Sequence, residues 1–228
     1  MRTLTKEKQA QITPALALRL LRNGNLRFAN NLKFNRDILQ EINDTKDGQH
    51  PFACVLSCMD SRFTPTQIFD QGLGDMFTVR VAGNVLNSDI VGSMEYACKV
   101  AGSKIVLVLG HTRCGAVKGA CDDVRMGQLS GLLDKIRPAI ERTPRPSHMN
   151  GNFQHYVDSV AANNVHIVID QIAAESSILR DMVEAGELAI VGGMYDVETG
   201  RVEFFAHPDL FHFESDAAAK LAFDEILL

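Results

Sequence analysis

The stretch from Lys104 to Gly110, Lys-Ile-Val-Leu-Val-Leu-Gly, constrains the fold of this chain more than any other segment. Its β-branched and leucine side chains run without polar alternation, which is typical of a strand buried on both faces of a parallel sheet. Parallel strands need long crossover connections, usually helices, so the flanking sequence has to supply amphipathic helices. The chain has 228 residues, 46% of them hydrophobic, which is enough to bury such a sheet.

The rest of the sequence alternates short apolar runs with amphipathic segments. Residues 12–31 repeat apolar side chains at three- and four-residue spacing, which predicts a helix. Residues 188–195 and 202–205 flank a tight turn and predict an antiparallel hairpin. We therefore expect an α/β fold with a mixed, mostly parallel central sheet, flanking helices and an antiparallel C-terminal edge hairpin. Further strands are predicted at 51–57 and 76–82, and further helices at 66–69, 88–100, 112–122, 127–141 and 217–228.

Two segments are less regular. Residues 165–172 fit either a strand or a buried helix, because a short apolar run does not distinguish them. Residues 143–152 are rich in proline, glycine and asparagine and predict a surface loop. Since no linker is required, we expect one domain over residues 1–228, with an N-terminal helical arm over about residues 1–45.

Charge and composition narrow the possible partners. The net charge is −5 and the Lys and Arg residues are scattered, so we expect no nucleic-acid or membrane partner, but a small molecule. The longest apolar runs are too short to span a bilayer, and the first residues do not resemble a secretory signal. We expect a cytoplasmic protein, and its odd number of cysteines argues against a disulfide framework. The five cysteines are Cys54, Cys58, Cys98, Cys114 and Cys121.

Two short motifs follow two of the predicted strands. Cys58, Asp60 and Arg62 come after the strand at 51–57, whereas His111 and Cys114 come after the run that ends at position 110. The carboxyl ends of neighbouring parallel strands form ligand-binding crevices, so we expect both motifs at one site. Two thiolates and an imidazole suit zinc and leave its fourth coordination position for a reactive water.

The other cysteines fit a metal site less well. Cys54 lies four residues before Cys58, which is roughly 13 Å along an extended strand and too far for shared coordination. Cys98 and Cys121 lie on predicted helices, where a buried cysteine acts as a small hydrophobic residue. Cys114, in contrast, lies where a helix should begin, and a helix N-terminus favours the thiolate.

Asp60 and Arg62 are close enough in sequence to form an ion pair. A bidentate guanidinium would orient the carboxylate and keep it ionised beside the metal. The alternative is an ordinary surface ion pair, which contributes at most about 1 kcal/mol to stability.

Together with Ser61 and Gly115, the two motifs resemble the Cys-x-Asp-Ser-Arg and His-x-x-Cys-Gly signature of the beta-class carbonic anhydrases. By this resemblance residues 165–172 are helical, and residues 143–155 have no family counterpart. Further similarity lies at Phe77, Arg80, Asn84, 95–97 and 186–200.

The resemblance implies zinc held by Cys58, His111 and Cys114, and reversible hydration of carbon dioxide to bicarbonate and a proton through zinc-bound hydroxide. Held by Arg62, the Asp60 carboxylate is expected to accept a hydrogen bond from this hydroxide. The resemblance implies that it can instead move onto the metal as a fourth ligand until Arg62 recaptures it.

The resemblance extends to the substrate pocket, where the family has an open type and a gated, bicarbonate-binding type. The gated type has a tryptophan three residues before the first ligand, and this position is Val55 here, although Tyr195 matches that type's tyrosine. We therefore expect the open type of site, in which Gly115 leaves room beside the metal. Phe77 and Tyr96 match the aromatic wall of the open type, although each could also be an ordinary core residue. The expected substrate-binding residues are Gln49, Phe77, Tyr96 and Gly115.

The minimal unit of the family is a dimer in which N-terminal helices embrace the partner and the active sites lie near the interface. The resemblance thus implies a homodimer or a dimer of dimers, with the helix at 12–31 in the embracing role. Two other functions stay open: hydrolysis of carbon disulfide or carbonyl sulfide on the same scaffold, and a non-catalytic protein in which zinc only ties strands together.

Overall fold

The apolar runs form a central sheet in the computed structural model, which describes residues 3–145 and 153–205. The strand order is β2-β1-β3-β4-β5, parallel throughout except for the antiparallel pair β4 and β5. The predicted mixed α/β architecture with an antiparallel edge hairpin is therefore confirmed. The strands are β1 (Ala53–Ser57), β2 (Met76–Arg80), β3 (Ile105–His111), β4 (Ala189–Tyr195) and β5 (Val202–Phe205).

Helices cover both faces of this sheet. Local signals define several of their ends: Thr13 caps α2 by accepting a hydrogen bond from the Leu16 N–H, and Pro14 occupies the first turn. A π-helical turn (Tyr96–Val100) continues α5, and a short 3₁₀ turn (Ala82–Asn84) follows β2. The helices are α1 (Lys6–Gln11), α2 (Pro14–Ala29), α3 (Ile38–Thr45), α4 (Pro65–Ile68), α5 (Ser88–Glu95), α6 (Gly115–Cys121), α7 (Gly127–Asp134), α8 (Arg137–Arg142), α9 (Phe153–Glu175) and α10 (Ser177–Glu184).

Two hydrophobic layers explain why β3 has no polar alternation. All seven of its residues are buried, and successive side chains point to opposite faces. Val106 and Val108 pack in a core with α9 and α5, whereas Leu107 and Leu109 pack in a second core with α2. Because each face of β3 meets a helix layer, both sets of side chains have to be apolar.

Two predicted helices have different bounds in the structure. The segment 127–141 forms two helices, because Pro138 in the first turn of α8 has no N–H for an uninterrupted helix. The helix predicted over 112–122 begins only at Gly115, because Arg113 has a φ of 56°, in the left-handed region. Helices α1 and α3 lie within the helical arm expected over about residues 1–45, although the apolar pattern located only the helix at 12–31.

Residues 165–172 are helical, as the family resemblance implies. They lie within α9, and their buried side chains recur at three- and four-residue spacing. The predicted helix at 217–228 and most of the predicted loop at 143–152 lie outside the described residues. Among the helices that are described, none has both the length and the apolar character needed to cross a membrane. The buried side chains of this segment are Val165, Val168, Ile169 and Ile172.

The close approach of α9 to β4 requires glycine at position 192. A Cβ there would lie 2.7 Å from Val165 Cγ1 and 2.8 Å from Ile169 Cδ1. We expect Gly192→Ala to lower the free energy of unfolding by about 1–3 kcal/mol through overpacking, measured by urea denaturation.

Gly131→Ala is the matched control, because a Cβ at this α7 position meets nothing within 4 Å. This variant should be neutral or more stable by roughly 0.5–1 kcal/mol, since alanine favours a helix. Equal destabilisation by both variants would contradict the packing argument.

Candidate active site

The parallel pairing of β1 and β3 brings the two sequence motifs together. Ser57 lies opposite Leu109, so Cys58 leaves β1 at the sheet edge where His111 ends β3. The ligand atoms of Cys58, His111 and Cys114 lie within 4.8 Å of one another, and all three residues are buried. The two Sγ atoms are 4.0 Å apart, close to the roughly 3.8 Å that a tetrahedral site with ~2.3 Å metal–sulfur bonds requires.

His111 presents an unpaired nitrogen to this cluster. Its Nδ1 lies 2.9 Å from the carbonyl oxygen of Thr112, which can only accept, so Nδ1 carries the proton. Nε2 is therefore left with a lone pair, and it is buried without a hydrogen-bond partner. A buried orphan acceptor next to two sulfur atoms fits a metal ion, because a metal would satisfy it.

The two thiols share a hydrogen bond. The hydrogen bond with Cys114 is the main cause that lowers the pKa of Cys58, and the same bond, together with burial, raises the pKa of Cys114. One sulfur thus becomes a thiolate readily, while the other retains the proton. Cys114 is the N-cap residue of α6, and the first backbone N–H groups of that helix partly offset the rise.

The Cys58 sulfur is supported by main-chain groups that the sequence analysis did not identify. The N–H of Gly83 donates to Cys58 Sγ at 3.4 Å. Asn164, on α9, donates through Nδ2 to the Gly83 carbonyl at 3.0 Å and is itself buried. No local pattern could have predicted this contact, because 81 residues separate Asn164 from Gly83.

Asp60 and Arg62 form the expected ion pair. Arg62 donates from Nε to Asp60 Oδ1 at 2.9 Å and from Nη2 to Oδ2 at 2.8 Å. These hydrogen bonds are the main reason that the pKa of Asp60 falls to about 2, so the carboxylate is ionised at neutral pH. Its Oδ2 lies 3.9 Å from Nε2 of His111, which places a fixed negative charge beside the ligand cluster.

Arg80 holds the backbone between Cys58 and Phe63 through three hydrogen bonds. Its Nε donates to the Cys58 carbonyl at 3.2 Å, and its Nη2 donates to the carbonyls of Asp60 at 2.6 Å and Phe63 at 3.1 Å. The pairing of β2 with β1 sets Arg80 opposite Ser57 and so brings it to this turn. The sequence identified Arg80 as a family match, but not its contacts.

Aromatic packing closes one side of the cluster. The Phe63 ring lies 5.2 Å from the His111 ring and 4.7 Å from the Tyr195 ring, measured between centroids. Tyr195 lies opposite His111 in the β3–β4 pairing, and its burial raises the pKa of its hydroxyl. Val55 is fully buried within β1. Phe63 was not among the expected site residues.

The expected pocket residues lie on separate elements of the chain. Phe77 and Tyr96, with ring centroids 6.2 Å apart, line a cavity of about 610 Å³ along β2 and α5. None of the three ligand residues lines this cavity. Gln49 lies beside Gly74, whereas a Cβ at Gly115 would meet nothing within 4 Å, so the space beside Cys114 is open.

Residues 53–202 match the family model described as carbonic anhydrase. "Carbonic anhydrase 2" of Mycobacterium tuberculosis is 37% identical over 197 residues, which are 85% of this chain and 94% of that protein. The carbonic anhydrase of Mycolicibacterium smegmatis is also 37% identical, over 199 residues, with the same two coverages.

A solved structure supports the same relationship. The Coccomyxa beta-carbonic anhydrase, in complex with acetazolamide, is 25% identical with a TM-score of 0.62, and the match covers 71% of this chain and 74% of that chain. The matched segment 53–202 includes all three ligand residues and more than half of the chain. From the sequence match, the shared fold and the ligand cluster together, we conclude that this chain belongs to the beta-carbonic anhydrase family.

Proposed function

We propose that this protein catalyses the zinc-dependent, reversible hydration of carbon dioxide to bicarbonate and a proton. The observation that carries the proposal is the buried cluster of Cys58, His111 and Cys114, with the ionised Asp60 beside it. The carbonic anhydrase names of the relatives at 37% identity support it. They also favour hydration over hydrolysis of carbon disulfide or carbonyl sulfide.

The residues of the site have distinct tasks in this reaction. Cys58, His111 and Cys114 would hold zinc, which would supply a Lewis acid that lowers the pKa of a bound water. Asp60 accepts a hydrogen bond from the nucleophile and so orients its lone pair toward carbon dioxide. Arg62 keeps the Asp60 carboxylate ionised and turned toward its own guanidinium, which corresponds to the open type of site.

A purely structural zinc role is less well supported. Structural zinc sites normally have four protein ligands. The described residues offer three in one cluster, and the nearby carboxylate of Asp60 is already bound by Arg62. A zinc ion held there would therefore leave its fourth position to a water molecule.

We further propose that residues 1–228 form a single domain and that the protein is a homodimer or a dimer of dimers. In this assembly the helical arm over about residues 1–45 packs around the partner subunit. Strand β2 pairs only with β1 among the described strands, and Tyr96 beside it is 56% exposed. We propose that the substrate pocket is completed at the interface between two subunits. Its proposed residues are Gln49, Phe77, Tyr96 and Gly115. The arm exposes the apolar side chains of Leu26, Leu32, Phe34, Ile38, Leu39 and Ile42.

A cytoplasmic location is also proposed. All five cysteines are free in the structure, as expected in a reducing compartment. Two of them, Cys58 and Cys114, belong to the ligand cluster.

Hydration of carbon dioxide, followed by stopped-flow with a pH indicator, should be catalysed by the zinc-loaded protein and lost after zinc removal. Cys58→Ser should lose most of both zinc and activity, because a hydroxyl replaces a thiolate ligand. The control Cys121→Ser, at a half-buried α6 position outside the cluster, should keep both. Full activity of zinc-free protein, with the metal content measured in parallel, would refute the proposal.

Zinc affinity should fall as the pH falls. Cys114 keeps its proton in the metal-free protein, because its pKa is raised, and it must release that proton to bind zinc. One proton released per ion raises Kd about tenfold for each pH unit of decrease. Competition with a chromophoric chelator between about pH 7 and pH 9 measures the slope, and a pH-independent Kd would rule out the shared proton.

Tyr96→Lys should weaken the dimer, since it places a charge at the proposed interface, and sedimentation velocity should show a larger monomer fraction. Met126→Lys is the matched control, because this methionine is 65% exposed on the loop before α7. A wild-type protein that is monomeric at all concentrations tested would disprove the dimer.

A further inference from the structure

We infer that Asp158 is a positioning residue that keeps Arg62 against Asp60 by acting through the main chain of Arg113. The inference rests on the proposed function, because it concerns the carboxylate that orients the nucleophile. Asp158 lies on α9, 45 residues from Arg113 in sequence, and is not part of either motif.

The first contact joins α9 to the turn between His111 and Cys114. Asp158 Oδ1 accepts a hydrogen bond from the backbone N–H of Arg113 at 2.7 Å. Gln154, one helical turn earlier, donates through Nε2 to the same oxygen at 2.9 Å. The carboxylate is thus held in place on a helix that packs on β3 and β4.

The backbone of Arg113 connects Asp158 to Arg62. Its φ of 56° is in the left-handed region, which a non-glycine residue keeps only when its surroundings impose it. The N–H bond to Asp158 and an ion pair between the Arg113 side chain and Glu198 are two such constraints. On the preceding residue, Thr112 N–H donates to the Tyr195 carbonyl at 2.9 Å and ties the turn to β4.

The third contact reaches the catalytic ion pair. In this conformation the Arg113 carbonyl accepts a hydrogen bond from Arg62 Nη2 at 3.1 Å. The same Nη2 donates to Asp60 Oδ2 at 2.8 Å. The Arg62 side chain is 45% exposed, so it depends on fixed acceptors to stay in one orientation. The Arg113 carbonyl is such an acceptor, and Asp158 fixes its position.

Removal of the Asp158 carboxylate releases the backbone at Arg113 from one of its constraints. Its carbonyl then moves away from Nη2, and Arg62 loses the contact that aligns it with both oxygens of Asp60. Asp158→Asn retains an oxygen that accepts from the same N–H, so it should preserve the alignment. A general stabilising role of Asp158, in contrast, would affect the protein without regard to Arg62.

The direct test is the hydrogen exchange of Arg62 Nε–H in zinc-loaded protein labelled with ¹⁵N-arginine. The signal is assigned by its loss in Arg62→Lys. We expect Asp158→Ala to speed this exchange well beyond the wild-type rate, because Arg62 Nε–H is then no longer held against Asp60 Oδ1. Asp158→Asn and the neighbouring control Ser159→Ala, which loses only a bond to the His155 carbonyl within α9, should exchange at the wild-type rate. Unchanged exchange in Asp158→Ala would overturn the inference.

Kinetics supply a second readout. Asp158→Ala should lower kcat/KM for carbon dioxide hydration about tenfold, and Asp158→Asn should restore it. In an Arg62→Ala background the Asp158→Ala change should have no further effect, since its route runs through Arg62. An equal loss in both backgrounds would contradict the positioning role. Asp158→Glu, which shifts the acceptor by one methylene, takes the place of Asp158→Ala if that variant does not fold, with the same expected direction.

The two proposals fail in different ways. If the zinc-loaded wild type does not hydrate carbon dioxide, the proposed function fails, while the exchange of Arg62 Nε–H still decides the role of Asp158. If the wild type is active and Asp158→Ala changes neither exchange nor kcat/KM, the positioning role fails and the function stands.

Discussion

The parallel register between β1 and β3 is the constraint on which the rest of the site depends. It sets Ser57 opposite Leu109, so that Cys58 and His111 emerge at one edge of the sheet. A slip by one residue would turn every side chain of a strand to the other face and separate the ligand atoms. The register is secured by apolar side chains on both faces, since each face of β3 packs on its own helix layer. The cluster that could hold a metal at this edge is therefore a consequence of core packing.

Helix α9 connects that packing to the polar groups of the site. Its apolar side chains approach β4 so closely that only glycine fits at position 192. From the same helix, Asn164 holds the backbone that donates to the Cys58 sulfur, and Asp158 holds the turn before Cys114. One rigid element thus supports both halves of the ligand cluster. The exposed Arg62 side chain is oriented in turn by its hydrogen bond to the Arg113 carbonyl.

The strands were predicted closely, because long apolar runs and tight turns are local signals that carry their own spacing. The helix bounds were less accurate where a single residue decided them. Pro138 divides the segment predicted as one helix over 127–141, and the left-handed Arg113 delays the start of α6. Neither effect alters the periodicity of apolar side chains, which was the basis of the prediction. The substrate-pocket role of Phe77 and Tyr96 stays a prediction, because it depends on groups that meet only in the assembled site.

The sequence by itself determined the mixed α/β sheet and the identity of the clustered ligands. Both follow from local order: apolar runs define strands, and a reactive residue directly after a strand must lie at the sheet edge. Only the tertiary structure decided which ring nitrogen of His111 faces the cluster without a hydrogen-bond partner. It also decided which backbone carbonyls accept hydrogen bonds from Arg80 and Arg62. The contacts of Asp158 and Asn164 with the site depend on the tertiary structure as well. These contacts join residues up to 81 positions apart. Their partners are backbone atoms, which every residue carries and no sequence pattern distinguishes.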